Sequence, residues 1–571
     1  MSEGVGFNTR MGTPMTAVER TPPADYEPVP GAYDEMYDAS GHPRGGLDQL
    51  DAALRGLGSE GLRDRGRVRD SHLTAQGITF TLSGRERPLP LDLIPRVIEA
   101  DEWRTIDQGV RQRIRALEMF LDDVYSTGQI LSEQIVPRAL VTSSAHFHPA
   151  AHGIRPPNGV RIHVAGVDLI RDQAGVMRVL EDNLRNPSGV SYVLENRRTL
   201  AHVVPEIFPT QRVRSVAEYP ERLLASLVAA APLGVPDPTV VVLTPGVHNS
   251  AHFEHAFLAR RMGVELVEGR DLFCRDGSIF MRTTKGPRQV HVIYRRIDDD
   301  FLDPVHFTPE SILGIPGVLN AARAGTVSIA NAVGNGVADD KALYPYVPKI
   351  IEYYLGEKPV LDNVPTYDLQ DDDVRSYVLE RLDTMVLKPV DGSGGYGLVM
   401  GHQATDEELT TVATSITDEP RAWVAQPVLT LSTSPSAVGE GQIEPRHVDL
   451  RPFAVNDGEK VWVLPGGLTQ VALRKGSLVV NSSQGGGSKD TWVLDDGKGG
   501  ISADEGPTVA DGTAEGFIGI GQRYQRRPTW RESGPVLTAE RMRQQSEQQQ
   551  QSYGQPPPGD RPATATQEES C

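Results

Sequence analysis

Cysteine is nearly absent from this 571-residue chain, with Cys274 and Cys571 the two present. Two cysteines cannot build a disulfide framework, and the lack of any C-x-x-C pair removes the usual thiolate zinc site. A reducing, intracellular setting follows as the default. Long apolar runs are missing as well. The opening MSEGVGFNTR has no apolar core of signal-peptide length, and the stretch from Leu223 to Val235 is interrupted by Pro232 and too short to cross a bilayer. A soluble, cytoplasmic protein is expected. Positive charge is also in deficit: a formal net charge of −19 argues against nucleic acid and anionic membrane as partners, since either would be repelled without a strong basic patch. Phosphate ligands stay open, because they need only a local cluster of donors.

Several catalytic signatures are lacking too. No G-x-x-x-x-G-K-[ST] occurs, so there is no P-loop, and no G-x-S-x-G elbow supports a hydrolase. His248, His252 and His255 form no H-E-x-x-H and are read as capping or surface residues. His146, His148 and His152 fall in a Pro- and Gly-containing loop and are read the same bland way.

What the chain does have is glycine and proline, 57 and 43 of them, which mark many loops. Residues 1–40, and a tail over 496–571 holding ISADEGPTVADGTAEG and QQSEQQQQSYGQPPPGDRP, lack the apolar surface to offset ordering entropy. Both are expected to be disordered and could serve protein partners, leaving one folded region over 41–495. Within it, GVRQRIRALEMFLDDVY (109–125) places Ile114, Leu117, Leu121 and Val124 on one helical face. The apolar strand PTVVVLTPG, a helix from Asn249 or Ser250 to Gly263 and the strand VELVE predict a β-α-β unit near 236–300. Strand-like runs recur at 160–170, 176–183, 290–298, 385–390, 423–431, 448–455 and 460–473. The class is mixed, α/β (α+β).

The stretch VLKPVDGSGGYGLVM (386–400) carries Gly392, Gly394 and Gly397 in G-x-G-x-x-G spacing. A dinucleotide-binding turn would need a helix to start at the last glycines. Leu-Val-Met follows instead, so the pattern is strand, glycine loop, strand, with Lys388 on the incoming strand. That order suits a flap folded over a triphosphate, where backbone N–H groups approach the oxygens and a lysine neutralises charge. A Gly-rich hairpin with an incidental lysine is the equal alternative on this stretch alone. In MRVLEDNLRNPSGVSY, Glu181 and Asn183 sit two apart on a strand and so share a face, the spacing two oxygen ligands of Mg²⁺ require. Asp168 joins them if the two strands pair across the turn Asp172–Gly175. The alternative is a solvated sheet edge. Asp298–Asp300, after Arg295 and Arg296, reads as either a solvated run or a substrate-facing loop.

Together, Asp168, LEDN with Glu181 and Asn183, ADDKALYPYVP with Lys341, LKPVDGSGGYG with Lys388, VAQPV and VDLRPFAV resemble the ATP-grasp superfamily. The order narrows the resemblance. Metal residues precede the lysines, as in the circularly permuted ATP-grasp proteins related to glutathionylspermidine synthase. The likeness covers roughly residues 40 to 495 and is closest to a bacterial branch of that group. It implies two α/β subdomains enclosing ATP, with Lys341 and Lys388 on its phosphates. Gly392, Ser393, Gly394, Gly395 and Gly397 would form the flap, and Gln426 would lie at the adenine. It implies Mg²⁺ on Asp168, Glu181 and Asn183, and Arg451 as the cation that stabilises the transferring phosphate. The chemistry implied is carboxylate–amine ligation through an acyl phosphate, on a peptide or peptide-like substrate. One departure stands out: Gly166 occupies the place where the synthases carry an Arg. Arg185, Arg295 or Arg296 would then supply the missing cation, or the chain would be a nucleotide-binding scaffold or a phosphotransferase instead. The turn Asn481–Gly487 would line the same cleft by the same resemblance.

Overall fold

The computed structural model describes residues 26–82, 85–391, 397–439, 441–472, 474–478, 480, 486–497 and 535–551. Helix α1 spans Asp48–Gln76 and α2 spans Ala100–Val124. The predicted stripe on α2 is realised, with Ile114, Leu117, Leu121 and Val124 all buried, and it runs about three more turns upstream through Val110, Ile106 and Trp103.

A hairpin follows, β1 over Val164–Arg171 and β2 over Met177–Asn183. Next comes the expected β-α-β unit: β3 (Val240–Leu243), α3 (His252–Met262) and β4 (Glu265–Val267). With β5 (Val292–Arg295) and β6 (Ser328–Ala330) it makes a parallel sheet of order β6-β5-β3-β4. Helix α4 (Val347–Leu355) packs on α2. A separate antiparallel sheet then forms from β7 (Tyr367–Asp368), β8 (Met385–Pro389), β9 (Val399–Met400) and β10 (Trp423–Pro427), in the order β7-β10-β8-β9.

The chain finally returns to the first hairpin. Strands β11 (Arg451–Asn456), β12 (Val461–Val471) and β13 (Gly487–Lys489) complete an antiparallel sheet of order β13-β12-β11-β1-β2. Segments almost three hundred residues apart are thus hydrogen-bonded neighbours, which is how a permuted chain order still builds one sheet. The fold is mixed α/β with several sheets, as expected.

Two segments expected to be disordered are built in part. Residues 26–40 are held down by buried acids. Asp34 accepts from the N–H groups of Met36 and Tyr37 at 3.0 and 2.9 Å and from the Tyr26 hydroxyl. Glu35 is gripped by Arg96 at 2.5 Å and Arg171 at 3.0 Å, and although burial opposes its ionisation these guanidiniums hold its carboxyl down at about 2. The charge of Glu35 is thus neutralised by arginines far away in sequence. In the tail, α5 spans Pro535–Gln551.

Candidate functional site

The site begins with strand register. Asp168 on β1 stands opposite Glu181 on β2, and Gly166 opposite Asn183, with an irregularity after Asp168. Glu181 and Asn183 share a face, as their spacing predicts. Asp182 between them faces the other way, where Arg113 of α2 holds it bidentately at 2.6 and 2.7 Å. Strand β11 lies along the opposite edge of β1, pairing Phe453 with Gly166. That register brings Arg451 over β1, where its guanidinium forks onto both oxygens of Asp168, the second at 2.6 Å, and lies 3.9 Å from Glu181.

Gly166 acquires a reason here. A Cβ at that position would lie 3.2 Å from Arg451 Cδ and 3.2 Å from Pro187 Cβ, so the space above Gly166 is filled by the arginine of the neighbouring strand. A long side chain at 166 and Arg451 in its present place exclude one another.

The small antiparallel sheet supplies the other wall. Lys388 of β8, Gln426 of β10, Thr366, Lys341, Tyr344 and Glu181 line a cleft of about 320 Å³. Lys341 Nζ is 3.9 Å from Glu181, and Gln426 donates to Thr366 Oγ1 at 2.8 Å. Lys341 and Lys388 share the cleft with Glu181, Asp339 and Asp340, the last two paired with Arg185 and Arg421, while Arg451 approaches Glu181 from beside it. Burial pushes Lys388 down to about 8, with Lys341 adding to the effect and Glu181 opposing it. Burial would raise Glu181, but Lys341, Arg451 and Lys388 outweigh it and hold the carboxyl below its ordinary range. Asp168 is pushed up to about 6 by burial, against the pull of Arg451.

The glycine stretch is a strand–loop–strand element: β8 pairs antiparallel with β9, Val386 opposite Met400. Gly397 has φ 71°, and a Cβ there would lie 3.0 Å from Pro389 Cγ. Gly392, Ser393, Gly394 and Gly395 lie outside the described residues, as do residues 481–485 of the second glycine turn, while Gly487 opens β13 opposite Val471.

The remaining predicted cations are placed elsewhere. Arg295 is fully buried and spends its guanidinium on the carbonyls of Asn331, Ile297 and Ala332 and on Asp299. Arg296 bonds the Tyr294 hydroxyl and pairs with Glu254 at 3.3 Å. Neither lines the cleft; both brace the end of β5. Arg185 stands at its rim, bonding Asp339 at 3.1 Å with His146 beside it. Asp298 and Asp299 are not a solvated run: they are buried, Asp298 accepting from Asn186 and Asp299 accepting from the Gly334 N–H and ion-paired with Arg295. His255 is likewise no cap or surface residue but a buried side chain against Thr244.

Sequence reasoning missed Thr366 and Tyr344 in the lining, and Arg421, which holds the lining Asp340 at 2.6 Å. The acids immediately before Lys341 were the one signal that could have pointed there.

A divalent cation can be tested against the donors present. Among the described residues no group of three or more His, Cys, Asp and Glu could hold a metal. Two carboxylates and the Asn183 amide are the donor set, and Asn183 Nδ2 is buried with no hydrogen-bond partner. An orphaned amide beside two hard oxygen ligands, reversible by a flip, fits Mg²⁺ arriving with a phosphate ligand. No helix among the described residues is long and apolar enough to cross a membrane.

Lys388 and Gln426 of the small antiparallel sheet thus face Glu181 of the β1–β2 hairpin across one cleft. The description "Circularly permuted ATP-grasp type 2" matches residues 95–472, and the chain belongs to that family. An uncharacterised Mycobacterium tuberculosis protein is 61% identical over 463 residues, covering 81% of this chain and 84% of that one. An uncharacterised Synechocystis protein is 52% identical over 466 residues, covering 81% and 97%. A Frankia alni protein named "Putative glutamate--cysteine ligase 2-3" is 45% identical over 469 residues, which are 81% of this chain but 54% of that longer protein. Among solved structures, a glutathione synthetase-like effector from Globodera pallida, in its apo form, shares the fold at TM-score 0.51 and 12% identity, covering 76% of this chain and 97% of that one.

Proposed function

We propose that the protein is an ATP- and Mg²⁺-dependent carboxylate–amine ligase of the peptide-forming type. The observation that carries the reading is the convergence of Lys341, Lys388 and Arg451 on Glu181, at a cleft that also presents Gln426. The family's use of ATP and the Frankia relative's name support the same class.

In the proposed reaction a substrate carboxylate oxygen attacks the γ-phosphorus of ATP and ADP leaves, giving an acyl phosphate. An amine nitrogen then attacks the acyl carbon, phosphate leaves and the nitrogen loses a proton. No side-chain nucleophile is required, so the residues act by position and charge. Lys341 and Lys388 release Glu181 and turn to the phosphates. Glu181, Asn183 and Asp168 would hold Mg²⁺, which supplies charge neutralisation between the phosphate oxygens. Arg451 offers a planar fork to the transferring phosphoryl group from above Gly166. The position of Arg451 beside Gly166 supports the ligase reading over a disabled scaffold, since β11 offers a cation where position 166 has none.

Measured ADP release, with carboxylates and amines supplied singly and together, tests the reading: turnover requiring both is expected. Turnover with a single acceptor would make it a phosphotransferase, and binding without turnover a scaffold. Lys388→Ala should weaken ATP binding on the order of 10- to 100-fold, the worth of one charge-assisted contact. Unchanged affinity in that variant would remove Lys388 from the site.

A further inference from the structure

Helix α5 docks against the parallel sheet, although nothing about its sequence suggests a core element. Its inward face is Met542, Gln545, Ser546 and Gln549, at helical spacing i, i+3, i+4, i+7, and the last three are buried at 8%, 0% and 2% exposure. Arg541, Arg543 and Gln544 on the other face are exposed. A buried face of two glutamines and a serine gains little from the hydrophobic effect, so its seat must come from hydrogen bonds.

Those bonds go to main chain. Gln545 Oε1 accepts from Ile312 N at 2.8 Å, and its Nε2 donates to Glu310 O at 2.7 Å. Gln549 Nε2 donates to Arg296 O at 3.2 Å. The groove thus presents a backbone donor and acceptor pair that reads a carboxamide at both ends, plus a second acceptor one helical turn on.

The position of the groove is the second observation. In the order β6-β5-β3-β4, the chain leaves β3 toward β4 on one side and β5 toward β6 on the other. Connections diverge between β3 and β5, and such a divergence opens a ligand crevice at the carboxyl ends of the strands. Arg296 directly follows β5, and Gly246 follows β3 with φ 102°, where a Cβ would lie 3.9 Å from Met542. The helix sits on that crevice. The crevice also connects to the nucleotide cleft: Asn186, three residues after Asn183, donates to Asp298 at 2.9 Å, and its carbonyl accepts from Arg296 at 3.5 Å.

We infer that the crevice at the carboxyl ends of β3 and β5 is a peptide groove that reads carboxamide side chains, and that the chain's own helix Pro535–Gln551 is its resident, displaceable occupant. A glutamine-bearing polypeptide entering the groove must first displace the helix; that such a polypeptide is a substrate rests on the ligase proposal, whereas the docking does not.

Hydrogen exchange in the full chain tests it. Amides over 296–300 and 310–312 should exchange roughly tenfold or more faster in Ser546→Arg, whose side chain does not fit a fully buried position, than in the parent chain. A synthetic peptide of residues 535–551, added to that variant, should restore slow exchange in a saturable way. Equal exchange in the parent and Ser546→Arg, or a peptide that gives no protection, overturns the inference. A matching thermal unfolding midpoint for the core confirms that the variant is folded. None of these readouts uses ATP, so they stand or fall separately from the ADP-release assay.

Discussion

Arg451→Met should lower ADP release on the order of 10²- to 10³-fold, the usual loss when one preorganised donor to a developing anion is removed. It should also cost stability, because the same guanidinium is the bidentate partner of Asp168. Breaking a buried pair from one side costs about 3–5 kcal/mol while the remaining charge stays ionised. The pH dependence separates the two effects. Asp168 titrates at about 6 with Arg451 in place, above its ordinary value, so the folded state binds the proton more tightly than the unfolded chain. Its protonated form contributes stability at low pH, and that contribution is lost as pH rises through the folded value. Without Arg451 the folded value moves higher still. The variant and parent should therefore differ least at about pH 5 and most above about pH 7. Adding Asp168→Asn to Arg451→Met should recover much of the lost stability at pH 8, because position 168 then holds no charge left without its partner, yet recover none of the ADP release. Urea midpoints at pH 5 and pH 8 beside the turnover assay would show it; a double variant that regains activity would make Arg451 structural alone.

What the sequence made legible was local. The i, i+2 spacing of Glu181 and Asn183 sets their common face whatever lies around them, and the apolar stripe of α2 needs only a helical period. The strand after Gly397 was readable for the same reason, since a returning apolar run excludes a helix N-terminus there. What was not legible depends on register between distant strands. Gly166 reads as a lost arginine until Arg451, 285 positions later, is seen lying across it. Arg295 and Arg296 look as eligible as Arg451 by residue type. Only the parallel sheet decides that they end on backbone carbonyls and Glu254. The order of residues 26–40 was hidden likewise, because the partners of Glu35, Arg96 and Arg171, are far along the chain.

Asp182 is the sharpest instance, and its partner should show one of the largest effects on stability. It stands between Glu181 and Asn183, so composition alone would make LEDN a run of three candidate ligands. The strand turns it away, and Arg113 takes both of its oxygens while donating from Nη1 to Asn363 at 2.8 Å. Both side chains are about 2% exposed, so water screens neither. Arg113→Met leaves the Asp182 carboxylate buried and is expected to cost about 3–5 kcal/mol, a large share of the stability of an ordinary domain. Because the pair also pins α2 to β2, unfolding should remain cooperative but begin at a clearly lower denaturant concentration. Asp182→Leu added to Arg113→Met replaces the pair by apolar groups of similar bulk, which in other buried pairs is neutral or stabilising, so most of the loss should return. ATP affinity of that double variant should match the parent, because Asp182 contributes no ligand. Denaturant midpoints for the three proteins, with nucleotide titrations on the parent and the double variant, decide the matter. A double variant that regains stability but loses nucleotide would place Asp182 among the ligands after all.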